Sequence, residues 1–162
     1  INHPAGSLGR QLTLTVAELM VPASELQPLA PEAPLSAVIG QLTRPTNGKG
    51  SLGAAWVRGA GISGGESGGL ITDGDLRRTL QRHPPEAWAS VQASAMATSD
   101  PISVTPDTLA AEALRVMERN PSQALSVLPV IDGGELVGLL RLHDLVQAGF
   151  TSNQAASAAA AP

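Results

Sequence analysis

The chain has 162 residues, enough for one ordinary domain or two very small ones; 43% are hydrophobic and 15% charged, so a buried core is expected and global disorder is not. Ten basic residues face fourteen acidic ones, with two Trp, one Phe and no Tyr, which argues against a nucleic-acid reader built on basic patches and stacking aromatics. Without cysteine, disulfides and cysteine-based metal sites are excluded, a usage that fits a reducing, cytoplasmic compartment.

In chain order, the sequence opens at Ile1 without Met and is expected to be a piece of a longer protein. No apolar run approaches the roughly 20 residues that span a bilayer, no signal peptide opens it, and no membrane partner is expected. A helix is predicted across Leu35 to Leu42, a strand across Leu52 to Val57, another across Gly69 to Thr72, and a helix across Asp75 to Gln81. The Gly59 to Gly68 connection is long and glycine-rich and reads as mobile. Pro84 and Pro85 then stop the helix and mark a linker. Ile102 to Val104 reads as a short strand. A helix follows, capped by Asp107 or Thr108 and running to about Arg119, with Leu109, Ala113, Val116 and Met117 on its apolar face. A strand is predicted over Leu125 to Ile131, a turn at Gly133-Gly134, a returning strand over Leu136 to Leu140, and a helix from about His143. The alanine-rich tail has no amphipathic pattern and reads as disordered.

The order repeats. Gly69-Leu70-Ile71-Thr72-Asp73-Gly74-Asp75-Leu76 aligns with Gly138-Leu139-Leu140-Arg141-Leu142-His143-Asp144-Leu145; upstream, Leu35-Ser36-Ala37-Val38 aligns with Leu109-Ala110-Ala111-Glu112, and Leu19-Met20 with Ala95-Met96. Three matched anchors in one order indicate two repeats of about 55 to 65 residues, half-domains too small to bury a core alone.

Thr72-Asp73-Gly74-Asp75 carries the sharpest chemistry. A strand running into a helix leaves free backbone N–H groups that suit a phosphate. An aspartate in the first turn accepts two hydrogen bonds from a ribose diol, and a threonine three residues earlier suits a hydroxyl or phosphate oxygen. Thr-x-x-Asp is equally the pattern of a capping box, in which both side chains serve the helix itself. In the second copy Arg141 stands for Thr72 and Asp144 for Asp75. They read either as a local ion pair or as arms toward phosphate and ribose. His143 reads as solvent-facing or capping. His3, His83 and His143 lack ligand spacing, so no metal is expected. Gly48-Lys49-Gly50-Ser51 fails the phosphate-loop pattern, and no nucleophile elbow is present. Trp56 and Trp88 read as packing residues.

These motifs resemble a tandem pair of CBS domains, whose repeats carry a Gly-hydrophobic-x-Thr/Ser-x-x-Asp/Asn motif. Gly69 to Asp75 matches it fully, Gly138 to Asp144 departs at Arg141, and Leu128-Pro129-Val130-Ile131-Asp132 resembles a family strand. The resemblance implies an α/β (α+β) fold with pseudo-twofold symmetry. Its first repeat would be 16–82, the linker 83–90, the second repeat 91–150, and the tail 151–162. His3-Pro4-Ala5-Gly6-Ser7-Leu8-Gly9-Arg10 resembles the segment closing the sugar-isomerase (SIS) domain of arabinose 5-phosphate isomerases, making 1–15 a remnant of that domain and its linker. Thr72 to Arg78 and His143 to Gly149 resemble the same family. Such enzymes interconvert ribulose 5-phosphate and arabinose 5-phosphate for synthesis of Kdo, a lipopolysaccharide sugar. The resemblance implies that His3 is catalytic in the full-length parent only, so this piece is no enzyme by itself. It also implies a regulatory ligand between the repeats, an adenosine nucleotide or CMP-Kdo, and no other cofactor. Thr72 and Asp75 would hold it, Arg141 and Asp144 would form a second site, and Leu70, Ile71, Leu139 and Leu140 would wall the base. The parent's SIS domain and a second copy in a homo-oligomer complete the expected partners, with no nucleic acid among them; a purely structural oligomerisation module is the alternative.

Overall fold

A computed structural model describes residues 4–48, 50–59 and 68–151. Its elements in order are α1 (Pro4–Thr13), α2 (Val16–Leu19), β1 (Val21–Pro22), α3 (Leu35–Leu42), β2 (Ala54–Val57), β3 (Gly69–Thr72), α4 (Asp73–Arg82), α5 (Ala93–Met96), β4 (Thr98–Ser99), α6 (Ala110–Glu118), β5 (Val127–Asp132), β6 (Glu135–Arg141) and α7 (Leu142–Gln147). Short 3-10 turns lie at Ala23–Glu25, Pro85–Ser90 and Pro121–Gln123. The fold is thus mixed α/β. No helix among the described residues is long and apolar enough to cross a membrane.

The chain divides into two compact units, and they do not follow the sequence repeats. One gathers the residues up to Pro22 with Ser103–Asp132 and those from Leu136 onward; the other gathers Ala23–Ile102 with Gly133–Glu135. Each unit holds a three-stranded sheet, β1-β6-β5 in the first and β2-β3-β4 in the second. The short outer strands explain the division. Val21 pairs with Leu139 and Pro22 with Gly138, so the segment entering the first repeat completes the sheet of the second. Thr98 pairs with Leu70 and Ser99 with Gly69, so the segment entering the second repeat completes the sheet of the first.

Each unit has its own aliphatic core. In the first, Ala110, Ala113, Leu114 and Met117 recur at helical spacing on α6 and meet Leu128, Val130, Leu140 and Leu145. In the second, Val38 and Leu42 on α3 pack on Ala55, Val57 and Ile71, closed by Val91, Ala93 and Met96. Leu14 and Val16 belong to the first core although they precede the first repeat's helix.

The predicted elements recur with local differences. Predicted and observed bounds coincide for α3 and β3. Helix α4 begins two residues earlier than expected, at Asp73. Helix α6 begins at Ala110 with Leu109 at its N-cap position, because Asp107 and Thr108 are used in a turn with Thr105. The apolar face therefore shifts. Leu109 is 45% exposed and Ala110 wholly buried. The predicted strand at Ile102 to Val104 reduces to one parallel bridge between Val104 and Val130. Gly133 and Gly134 take φ of 58° and 83°, the left-handed pair that a tight hairpin turn requires. Residues 60–67 of the glycine-rich connection and residues 152–162 of the tail lie outside the described residues.

Candidate functional site

At the first strand-to-helix junction the backbone leaves β3 extended at Thr72, with φ −111° and ψ 174°, and α4 begins at the next residue. Asp75 is the third helical residue, so its carboxylate turns back over the helix start. Oδ2 accepts the Thr72 N–H at 2.9 Å and the Thr72 hydroxyl at 3.1 Å. Oδ1 accepts Arg78 Nη2 at 2.8 Å and the Thr98 hydroxyl at 3.3 Å. The capping bonds are real, and the carboxylate still reaches the surface: its side chain is 12% exposed and that of Arg78 57%. Gly74 lies under the Arg78 guanidinium, where a Cβ would come within 3.3 Å of Nη1.

Leu70 and Ile71 precede the junction and, as neighbours on a strand, point to opposite faces. Ile71 is wholly buried in its unit's core; Leu70 is 5% exposed. Ala54 pairs with Thr72, so the segment entering β2 lies at this end of the sheet. That segment and the first 3-10 turn enclose a groove of about 350 Å³ lined by Ser24, Glu25, Arg44, Pro45, Thr46, Asn47 and Leu52. Asn47 donates to Glu25 Oε1 at 2.5 Å, and Thr46 donates through its amide and hydroxyl to the Gly50 carbonyl. The 44–53 segment is therefore a hydrogen-bonded loop, carrying Gly48, Gly50 and Gly53 at positive φ; Lys49 lies outside the described residues.

The second junction has the same backbone path and different chemistry. Asp144 Oδ2 accepts the Arg141 N–H at 2.9 Å and Nε at 3.0 Å, and Oδ1 accepts Nη2 at 2.6 Å. The Arg141 side chain is 5% exposed and that of Asp144 1%. Of the two readings open from sequence, the local ion pair is the one observed, and it is buried. Leu139 and Leu140 are both wholly buried, Leu140 within the first unit's core. His143 is exposed beside them.

The remaining sequence candidates scatter. His3 lies outside the described residues. Trp88 donates its indole N–H to the carbonyls of Leu80 and His83, closing the end of α4, and the Trp56 ring covers Gly68, leaving no room for a Cβ there. Both act in packing. Sequence reasoning missed Arg78, Thr98 and the groove. Arg78 was legible, because residues three apart share a helix face; Thr98 is 23 positions from Asp75 and reaches it only through the β3–β4 pairing.

Comparison with known proteins agrees with this architecture. The family model described as CBS domain matches residues 93–150. Arabinose 5-phosphate isomerase KdsD of Pseudomonas aeruginosa is 36% identical over 148 residues, and that of Yersinia pestis 32% over 149. The alignments cover 91% and 92% of this chain and 42% of each relative, so the chain spans about two-fifths of the curated relatives' length. Among solved structures, CBSX2 in complex with AMP matches 83% of this chain and 95% of its own, with TM-score 0.60 and 22% identity. The CBS domain of a bacterial CNNM/CorC family Mg2+ transporter in complex with ATP matches 89% and 92%, with TM-score 0.63 and 19% identity. At those identities the likeness is one of fold.

Proposed function

We propose a function from one established premise: the chain belongs to the CBS-domain family, as a pair of such domains. The module senses a nucleotide, and the Thr72–Asp75 junction is where it binds. Asp75 accepts the ribose hydroxyls, Thr72 contributes its hydroxyl, the free amides at the start of α4 face phosphate, and Leu70 and Ile71 back the site from the sheet. By the repeat, the corresponding position in the other unit is Arg141 and Asp144, backed by Leu139 and Leu140. The observation that carries the reading is the Asp75 carboxylate. Its side chain is 12% exposed, and Oδ1 is held by an exposed arginine and a 3.3 Å threonine contact, both cheaply displaced.

Two solved relatives in fold are complexes with AMP and with ATP, which favours an adenosine nucleotide; the relation to arabinose 5-phosphate isomerases makes CMP-Kdo, built on the sugar those enzymes feed, the competing ligand. In the parent protein the module biases an attached cytoplasmic isomerase: a ligand that prefers one arrangement of the module shifts the population of the catalytic domain by that preference. His3 serves chemistry only in that whole enzyme, with its SIS domain and within a homo-oligomer.

A purely structural role is the second reading, favoured by the capping bonds from Thr72 to Asp75. Thermal-shift measurements with AMP, ATP, CMP and CMP-Kdo separate the two. At a hundredfold excess over Kd, binding adds about 2.7 kcal/mol, roughly 5–11 °C for a chain of this size. Asp75→Ala should abolish the shift. A variant that is merely less stable, with the shift intact, supports the structural role.

A further inference from the structure

We infer that the module takes one nucleotide per chain, at the Thr72–Asp75 junction, and that Arg141 fills the counterpart position as a built-in guanidinium that excludes ligand. The inference rests on the nucleotide reading of the first junction and adds its stoichiometry.

The two junctions are an internal comparison, with the same strand, turn, helix and aspartate. Every group that reaches Asp75 from outside is replaced at Asp144. By the motif alignment, Thr72 becomes Arg141, Arg78 becomes Gln147 and Thr79 becomes Ala148. Thr98, which faces Leu70 across the sheet and donates to Asp75, has Val21 as its counterpart facing Leu139. The cation has moved as well. At the first junction it stands on the exposed surface of α4, three residues after the aspartate; at the second it stands at the end of β6, three residues before it and inside the protein.

The consequence for a diol follows from hydrogen-bond bookkeeping. Asp75 releases an exposed side chain and a long hydroxyl contact to receive a ribose. Asp144 would have to release a guanidinium that grips both of its oxygens inside the protein, breaking a buried charged pair where Asp75 gives up only an exposed side chain. The second copy of the motif is therefore occupied from within.

Titration calorimetry of the chain with AMP and ATP tests this. Wild type should bind one nucleotide per chain. Thr72→Arg, which transplants the guanidinium, should weaken that binding at least tenfold. Arg141→Thr combined with Gln147→Arg, which rebuilds the first junction in the second copy, should raise the stoichiometry to two. A wild-type stoichiometry of two, or undiminished binding by a folded Thr72→Arg protein, overturns the inference and leaves the nucleotide reading standing. No heat from wild type or the rebuilt variant with AMP, ATP, CMP or CMP-Kdo overturns both. The Arg141 Nε–H resonance gives a readout that needs no variant: it should be protected from exchange and unmoved at saturating nucleotide. Its displacement or loss would overturn the inference.

Discussion

Arg141 and Asp144 show how one residue change redirects a motif. A charged pair inside a protein gives up hydration that its mutual attraction only partly returns, but removing one partner leaves a bare buried charge. Asp144→Ala is therefore expected to cost roughly 3–5 kcal/mol, whereas Asp75→Ala, which removes a partly exposed cap, should cost about 0.5–2 kcal/mol. Replacing both Arg141 and Asp144 by leucine should recover most of the loss. Urea unfolding of the four proteins decides; equal costs at the two aspartates would show that Asp144 is not enclosed in solution. The sequence made the paired aspartates legible through spacing alone. It left Arg141 open between a surface pair and a ligand arm, because burial depends on tertiary packing; even the strand beside β6, where Val21 pairs with Leu139, comes from the far end of the chain.

The elements most visible in sequence are those that carry their own periodicity. Helix α3 and strand β3 stand where apolar spacing puts them, while α2 and α5, of four residues each, are too short for any period to show. What fixes these short pieces is local bonding and close approach. The Glu18 carboxylate caps α2, accepting the Thr15 amide at 2.8 Å and its hydroxyl at 3.1 Å. The amide bond first, then the hydroxyl, hold its pKa below the ordinary value. A lowered folded pKa means that the cap's contribution is present above the unfolded carboxylate pKa and is lost as pH falls through the folded one. The Thr15 amide resonance should report that midpoint at a lower pH than free glutamate, and a midpoint at the free value would remove the cap. At Gly138 a Cβ would lie 2.5 Å from Met20 Sδ and 2.7 Å from the Val21 carbonyl oxygen. The methionine can swing aside; the β1 backbone cannot. Gly138→Ala should destabilise the chain by about 1–3 kcal/mol, the usual cost of overpacking, measured by denaturant unfolding.

At the scale of the whole molecule, the repeats in the sequence and the units in the structure are different partitions of one chain. Similarity marks where the motifs recur; it says nothing about which segment completes which sheet, and strands of two residues carry too little pattern to announce their partners. The exchange has an energetic signature. Met96 is 5% exposed and packs in the core of the unit that contains β2 and β3, although it lies in the segment that opens the second repeat. Val16 is wholly buried in the core built on α6 and β5, although it opens the first. Truncating a buried methionine to alanine costs about 2–5 kcal/mol, and native-state hydrogen exchange shows where in the structure that cost falls. Met96→Ala should speed exchange at the amides of Ala55 and Ile71 more than at Leu128 and Val130. Val16→Ala should do the reverse, with a smaller effect because less side chain is removed. If each substitution instead loosened the strands of its own sequence repeat, the repeats would be the folding units, and the exchange of β1 and β4 would contribute no stability.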